Sequence, residues 1–142
     1  MKQSYIARGS IVIEAPAARV WEALTNPELV RQYFFGTELS ADWSVGGALR
    51  YRGRWEGKSY EDKGTVLAFE PEKLLRTTHF SPMSGLEDRP ENYHTVTYEL
   101  SQNGGKTRLT VTQDNNESPQ SADHSAKNWA MVLEALKRLL EE

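Results

Sequence analysis

Three histidines, six tyrosines and four tryptophans hold most of the chemical potential of this chain. His79, His94 and His124 fall in separate segments, with no H-x-x-x-H pair and no paired carboxylate, a spacing unlike any standard metal site. No metal and no cofactor are therefore expected. Ser84 stands in Pro82-Met83-Ser84-Gly85-Leu86 and lacks the glycine two residues earlier that a nucleophile elbow requires. His79, His94, Tyr98 and Tyr51 have the right chemistry to move a proton or polarise a carbonyl inside a dry cavity. Their spacing marks no catalytic pair, and the same groups serve equally to orient a bound phenol or ketone. No catalytic residue is assigned.

The elements that position these residues follow from periodicity. Trp129, Val132, Leu133, Leu136 and Leu140 recur at helical spacing, so a long terminal helix buries one face, with either Ser118-Pro119 or Ser125 as its opening. Glu134 lies one turn before Arg138, and Lys137 one turn before Glu141, on the solvated face. Near the other end, Ile11-Val12-Ile13 reads as a strand stopped by Ala15-Pro16. Ala17, Val20, Trp21 and Leu24 then mark a short helix, and Asn26-Pro27 caps and opens a second that continues through Val30, Tyr33 and Phe34.

Between these helices and the terminal one, strands alternate with short turns at Gly46-Gly47, Glu56-Gly57-Lys58, Glu70-Pro71-Glu72 and Asn103-Gly104-Gly105, which makes neighbouring strands antiparallel. Leu49/Tyr51/Trp55, Val96/Tyr98/Leu100 and Leu109/Val111 alternate with polar residues, giving one buried and one wet face. Arg50, Arg52 and Arg54 fall on the wet face. The longer connection from Ser81 to Asn92 contains Pro82, Gly85 and Pro90 around Met83 and Leu86. It reads either as a flap over a cavity or as a connection whose two apolar residues tuck beneath it.

Composition narrows the function classes. At 142 residues the chain is expected to form a single domain, 1–142, with a core that needs no staples. It has no cysteine, which removes disulfides, thiolate metal sites and cysteine nucleophiles from consideration. A net charge of -3, with no basic patch, argues against nucleic acid. No stretch approaches a membrane span and no signal region opens the chain, so a cytoplasmic location is expected. Asn116-Glu117-Ser118 is then a chance glycosylation tripeptide.

Taken in order, Ala15-Pro16, Val20-Trp21-Glu22-Ala23-Leu24-Thr25-Asn26-Pro27, Gly46-Gly47, Thr107-Arg108-Leu109-Thr110 and Trp129-Ala130-Met131-Val132-Leu133 carry a resemblance. The chain resembles the homologues of the heat-shock protein 90 ATPase activator's C-terminal domain, within the START-like superfamily. That superfamily also holds the birch-pollen-allergen type, lipid-transfer domains and polyketide cyclases. The resemblance implies an α+β helix-grip fold: a curved seven-stranded antiparallel sheet around a long C-terminal helix, two short helices after strand one, and a cavity between sheet and helix.

Strand parity names the side chains that face such a cavity. Tyr51 and Trp55 share one inward face, Thr77 and His79 another, His94 and Tyr98 a third, and Gln113 joins Leu109 and Val111. Asn128 and Val132 on the terminal helix face the mouth, while Trp129 packs in the core or beside it. By the resemblance, the end of the second short helix and the long loop that holds Met83 border the entrance, so Phe34 or Phe35 either touches a ligand or packs in the core. An aromatic, mostly apolar interior with a few polar groups suits a small molecule.

The expected function is binding of a small apolar, aromatic or lipid-like ligand. The alternative is a cyclase, dehydratase or hydrolase acting on a ketone or ester. By the resemblance, a chaperone-interacting stress protein is a further reading, as monomer or weak homodimer.

Overall fold

Two prolines set the start of the fold. Pro16 ends strand β1 (Tyr5–Ile13) and precedes α1 (Ala17–Thr25), and Pro27 begins α2 (Pro27–Tyr33). Asn26 caps α2, its Oδ1 accepting the Glu28 N–H at 3.0 Å. The strands β2 (Glu38–Ala41), β3 (Ala48–Trp55), β4 (Lys58–Glu70), β5 (Leu74–His79), β6 (His94–Asn103) and β7 (Lys106–Asn116) follow, and α3 (Pro119–Glu141) closes the chain. The computed structural model describes residues 5–34, 36–55 and 57–141, with Trp55 and Met83 described in the backbone alone.

All strand pairs are antiparallel, in the order β1-β7-β6-β5-β4-β3-β2. The first strand thus pairs with the last, and β1 and β2 form the two edges. The α+β helix-grip architecture expected above is the observed one, with seven strands, two short helices after β1 and the long helix at the end. Strand β4 carries an irregularity between Val66 and Ala68 that shifts its inward face from Val66 to Phe69.

Helix α3 starts as its sequence specifies, with Ser118 Oγ accepting the Ser121 N–H at 3.0 Å. Val132, Leu133, Leu136 and Leu140 are buried in the core cluster together with Ile13, Leu109 and Val111. The helix lies chiefly on β1. Gly9 makes this possible, because a Cβ there would stand 3.1 Å from Leu133 Cδ1 and 3.7 Å from Trp129 Cβ. Two polar contacts fix the far end. Lys137 Nζ donates to the Val12 carbonyl at 2.8 Å, and Glu141 accepts the Glu14 N–H at 2.8 Å.

The core is closed where α1 packs on the sheet. Trp21 meets Phe69 edge-on at 5.2 Å, Phe69 stacks on Trp43 at 5.8 Å, and the Trp43 indole donates to the Thr25 carbonyl. Thr107, fully buried, donates its hydroxyl to the Ala15 carbonyl at 2.8 Å, tying β7 to the turn before α1.

The connection from Ser81 to Asn92 contains two short turns of 3-10 helix, and its described contacts correct the flap reading. Phe80 follows the inward His79 and therefore points outward, where Tyr93 stacks on it at 5.1 Å. Asp88 pairs with Lys63 and accepts the Tyr93 hydroxyl proton at 2.5 Å, pinning the loop to the outside of the sheet. Leu86 is 50% exposed on that side. The loop covers an outward aromatic ring, which is a stronger demand than its own two apolar residues make.

Truncation should distinguish the two faces of α3. Leu136→Ala is expected to cost about 3 kcal/mol, since Leu136 is 1% exposed, whereas Met131→Ala on the solvated face should change stability by less than about 0.5 kcal/mol. Urea unfolding with an unchanged slope checks both.

Candidate functional site

At the end of the core opposite α1, five rings form a continuous chain between sheet and helices. His79 meets Tyr51 at 6.1 Å, Tyr51 meets Phe34 at 6.3 Å, Phe34 meets Trp129 at 6.3 Å, and Trp129 meets Tyr98 at 5.8 Å. Phe34 is the C-cap of α2 and also touches Tyr33 at 6.3 Å. Three elements therefore converge here: the inner face of β3 to β6, the end of α2 and the N-terminal half of α3.

These rings are enclosed but not sealed. Burial pushes the Tyr51 hydroxyl up to about 12, with Asp62 adding to the rise. The Tyr98 hydroxyl is raised well above its ordinary value, also chiefly by burial. Yet Tyr51, Tyr98, Trp129, Phe34 and His79 all keep part of their surface accessible. Among the described residues neither the Tyr51 nor the Tyr98 hydroxyl has a hydrogen-bond partner. Tyr33 differs, being buried with its hydroxyl donating to the Ala23 carbonyl at 2.8 Å. Tyr51 and Tyr98 are thus surrounded by protein, yet they keep accessible surface and have hydroxyls without partners among the described residues.

Beside the rings stands a polar group. Asp62 stands opposite Tyr51 in register, and its Oδ2 accepts from Nε2 of His79 at 3.1 Å. His94 pairs in register with His79, and its Nδ1 donates to the Asp114 carbonyl at 2.8 Å. That bond fixes the tautomer of the neutral ring and leaves its lone pair on Nε2. Beside this group, Gly53 makes room for a ring, since a Cβ there would lie 2.5 Å from the Tyr60 hydroxyl oxygen. Tyr60 in turn bonds Thr37 at 2.6 Å.

The expected residues sort into four groups. Tyr51, His79, His94, Tyr98, Trp129 and Phe34 are brought to one region, with Thr77 buried beside them between Val66 and Val96. Gln113 and Val132 are engaged structurally. Gln113 Oε1 accepts the Trp129 indole N–H at 2.9 Å, and Val132 lies within the core. Asn128 is exposed on α3, turned about 100° from Trp129, outside the buried face that runs through 122, 132, 133, 136 and 140. The side chains of Trp55 and Met83, and the whole of Phe35, lie outside the described residues.

Asp62 was not anticipated. Counting back by twos from the inward Val66 reaches Gly64 and then Asp62, which was the available signal. An open depression of about 570 Å³ between Arg50, Glu61, Lys63, Phe80 and Leu86 is a separate feature on the outside of the sheet.

The sequence profile described as Activator of Hsp90 ATPase homolog 1-like protein matches residues 14–141. The chain belongs to this family. Among solved structures, ChR145 from Cytophaga hutchinsonii is 46% identical with a TM-score of 0.87, covering 99% of this chain and 97% of that one. DynU16, described as a protein in the dynemicin biosynthetic locus, is 26% identical with a TM-score of 0.79 over 96% of this chain, which spans about half of it, 47%. The Aha1 dimer from Colwellia psychrerythraea shares the fold at 21% identity and a TM-score of 0.75, with 96% of each chain covered. Among curated protein sequences no match is found. No helix of the described residues is long and apolar enough to cross a membrane.

In this family member the helix side of the site hangs on one polar network. Gln113, Asn116 and Ser125 interconnect at 3.2 to 3.5 Å, and the buried Asn116 also donates to the Tyr5 carbonyl at 2.8 Å. Gln113→Leu should move the Trp129 indole N–H resonance and cost about 1–3 kcal/mol, because it strands a half-buried donor.

The tyrosines give a pH expectation with a definite sign. Tyr51 ionises at about 12 when folded against 10.0 as its ordinary value. Its contribution to stability is therefore complete below pH 10 and lost as pH rises from 10 to 12. Tyrosinate absorbance should show Tyr51 ionising later in the native protein than in urea.

Proposed function

We propose that this protein binds a small, largely apolar, aromatic molecule between the inner face of β3 to β6 and the N-terminal half of α3. The observation that carries this reading is the pair of enclosed tyrosines, Tyr51 and Tyr98, whose rings keep accessible surface and whose hydroxyls are unpaired among the described residues. A filled core would bury such rings and satisfy their hydroxyls, as it does for Tyr33. Phe34, Trp129 and Tyr98 supply flat apolar walls, and Tyr51, Asp62, His79 and His94 supply a few convergent polar groups, the usual make-up of a small-molecule site. The ligand-binding residues of this reading are therefore Phe34, Tyr51, Asp62, Thr77, His79, His94, Tyr98 and Trp129.

A second reading, acid–base catalysis on a ketone or ester, draws on the Asp62–His79 pair, in which a carboxylate orients an imidazole beside an enclosed space. It requires turnover that His79→Ala abolishes, as product analysis would show. The chaperone reading rests on the family description alone.

Titration with naphthalene derivatives, followed by amide chemical shifts, tests the binding proposal. Saturable shifts should concentrate at Tyr51, Tyr98 and Trp129, and Phe34→Ala should weaken binding by about tenfold through loss of an apolar wall. Shifts scattered over the outer face, or none, would reject the site.

A further inference from the structure

We infer that the ligand of this site carries a hydrogen-bond donor, a phenol or alcohol hydroxyl, received by the carboxylate of Asp62; this inference rests on the binding reading above. Asp62 has two oxygens with different fates. Oδ2 accepts from His79 at 3.1 Å, whereas Oδ1 is buried and has no hydrogen-bond partner among the described residues. An ionised carboxylate only accepts, so the group that completes it must donate. Leaving a buried acceptor unpaired is costly, and more so for a charged one.

Among the described residues no lysine or arginine pairs with Asp62. Arg50 and Arg52 pair with Glu61 on the outer face, and Lys63 pairs with Asp88 in the outer loop. Inward, the groups around Asp62 are Tyr51 in register on β3 and His79 on β5, and His79 already serves Oδ2. The pair remains reachable, since the side chains of Asp62 and His79 are 18% and 31% exposed.

Three ligand classes are then separated by chemistry. A hydroxyl on an aromatic ring reaches Asp62 while the ring lies among Phe34, Trp129 and Tyr98. An ether or ketone of the same shape leaves Oδ1 unpaired, and sites built to receive a hydroxyl discriminate strongly against analogues without one. A carboxylate ligand sets like charges together in a partly desolvated site, which is unfavourable.

The test uses naphthol, its methyl ether and naphthoic acid substituted at the same ring position, each titrated into the labelled protein at neutral pH. Naphthol should bind about tenfold or more tightly than the ether, the range expected for a hydrogen bond to a charged acceptor, and naphthoate weakest of all. In Asp62→Ala, checked for an intact amide spectrum, naphthol and its ether should bind alike. The wild-type series stands by itself if that variant does not fold. Equal binding of naphthol and ether to the wild type, or tightest binding of naphthoate, overturns the donor inference while leaving the binding site in place. Failure of all three probes to shift Tyr51, Tyr98 and Trp129 overturns the binding site and the inference with it.

Discussion

A helix with its side chains is about 10 Å across, whereas seven strands at about 4.8 Å spacing span about 30 Å, so α3 alone cannot bury the inner face of this sheet. The structure resolves that mismatch asymmetrically. The helix lies against β1, admitted by Gly9 and latched by Lys137 and Glu141. Helix α1 covers one end of the remaining face with Trp21, and the other end is left to the rings of Phe34, Tyr51, Tyr98 and Trp129. Aromatic side chains are suited to this work because they reach further than aliphatic ones and present large flat areas.

Rings that reach across a gap bring polar tips with them, and the fate of those tips divides the core. At the α1 end the indole of Trp43 finds the Thr25 carbonyl. Trp129 finds Gln113, whose own amide is held by Asn116 and Ser125, so the position of α3 over β7 is coupled to a chain of side-chain hydrogen bonds. Tyr51 and Tyr98 find nothing of the kind among the described residues. The polar network thus ties the N-terminal half of α3 to β7.

Much of this was legible before any coordinates. The helical spacing of Val132, Leu133, Leu136 and Leu140, the Asn26-Pro27 start and the glycine turns specified elements whose local preferences agree with their tertiary roles. Parity placed Tyr51, His79, His94 and Tyr98 on inward faces because those strands run regularly. It was not carried back from Val66 to Asp62, because an acidic residue in Glu61-Asp62-Lys63 reads locally as surface. The loop stays open between its two readings until parity is carried on from His79 to Phe80, whose outward ring decides where the loop must lie.

Regular alternation along β4 before Val66 explains why Asp62 sits where it does. Tyr51, Asp62 and His79 come from three consecutive strands of one sheet, so their mutual geometry is held by backbone ladders and not by flexible loops. A rigid frame can hold a carboxylate oxygen without a partner, a cost that a loop would relieve by moving. Native cores rarely tolerate such an oxygen, and within this one, the closed α1 end shows that the chain can satisfy its buried polar groups. The contrast between the two ends of a single core is therefore the strongest physical reason to place recognition at the end where Asp62, His79 and the two unpaired tyrosines meet.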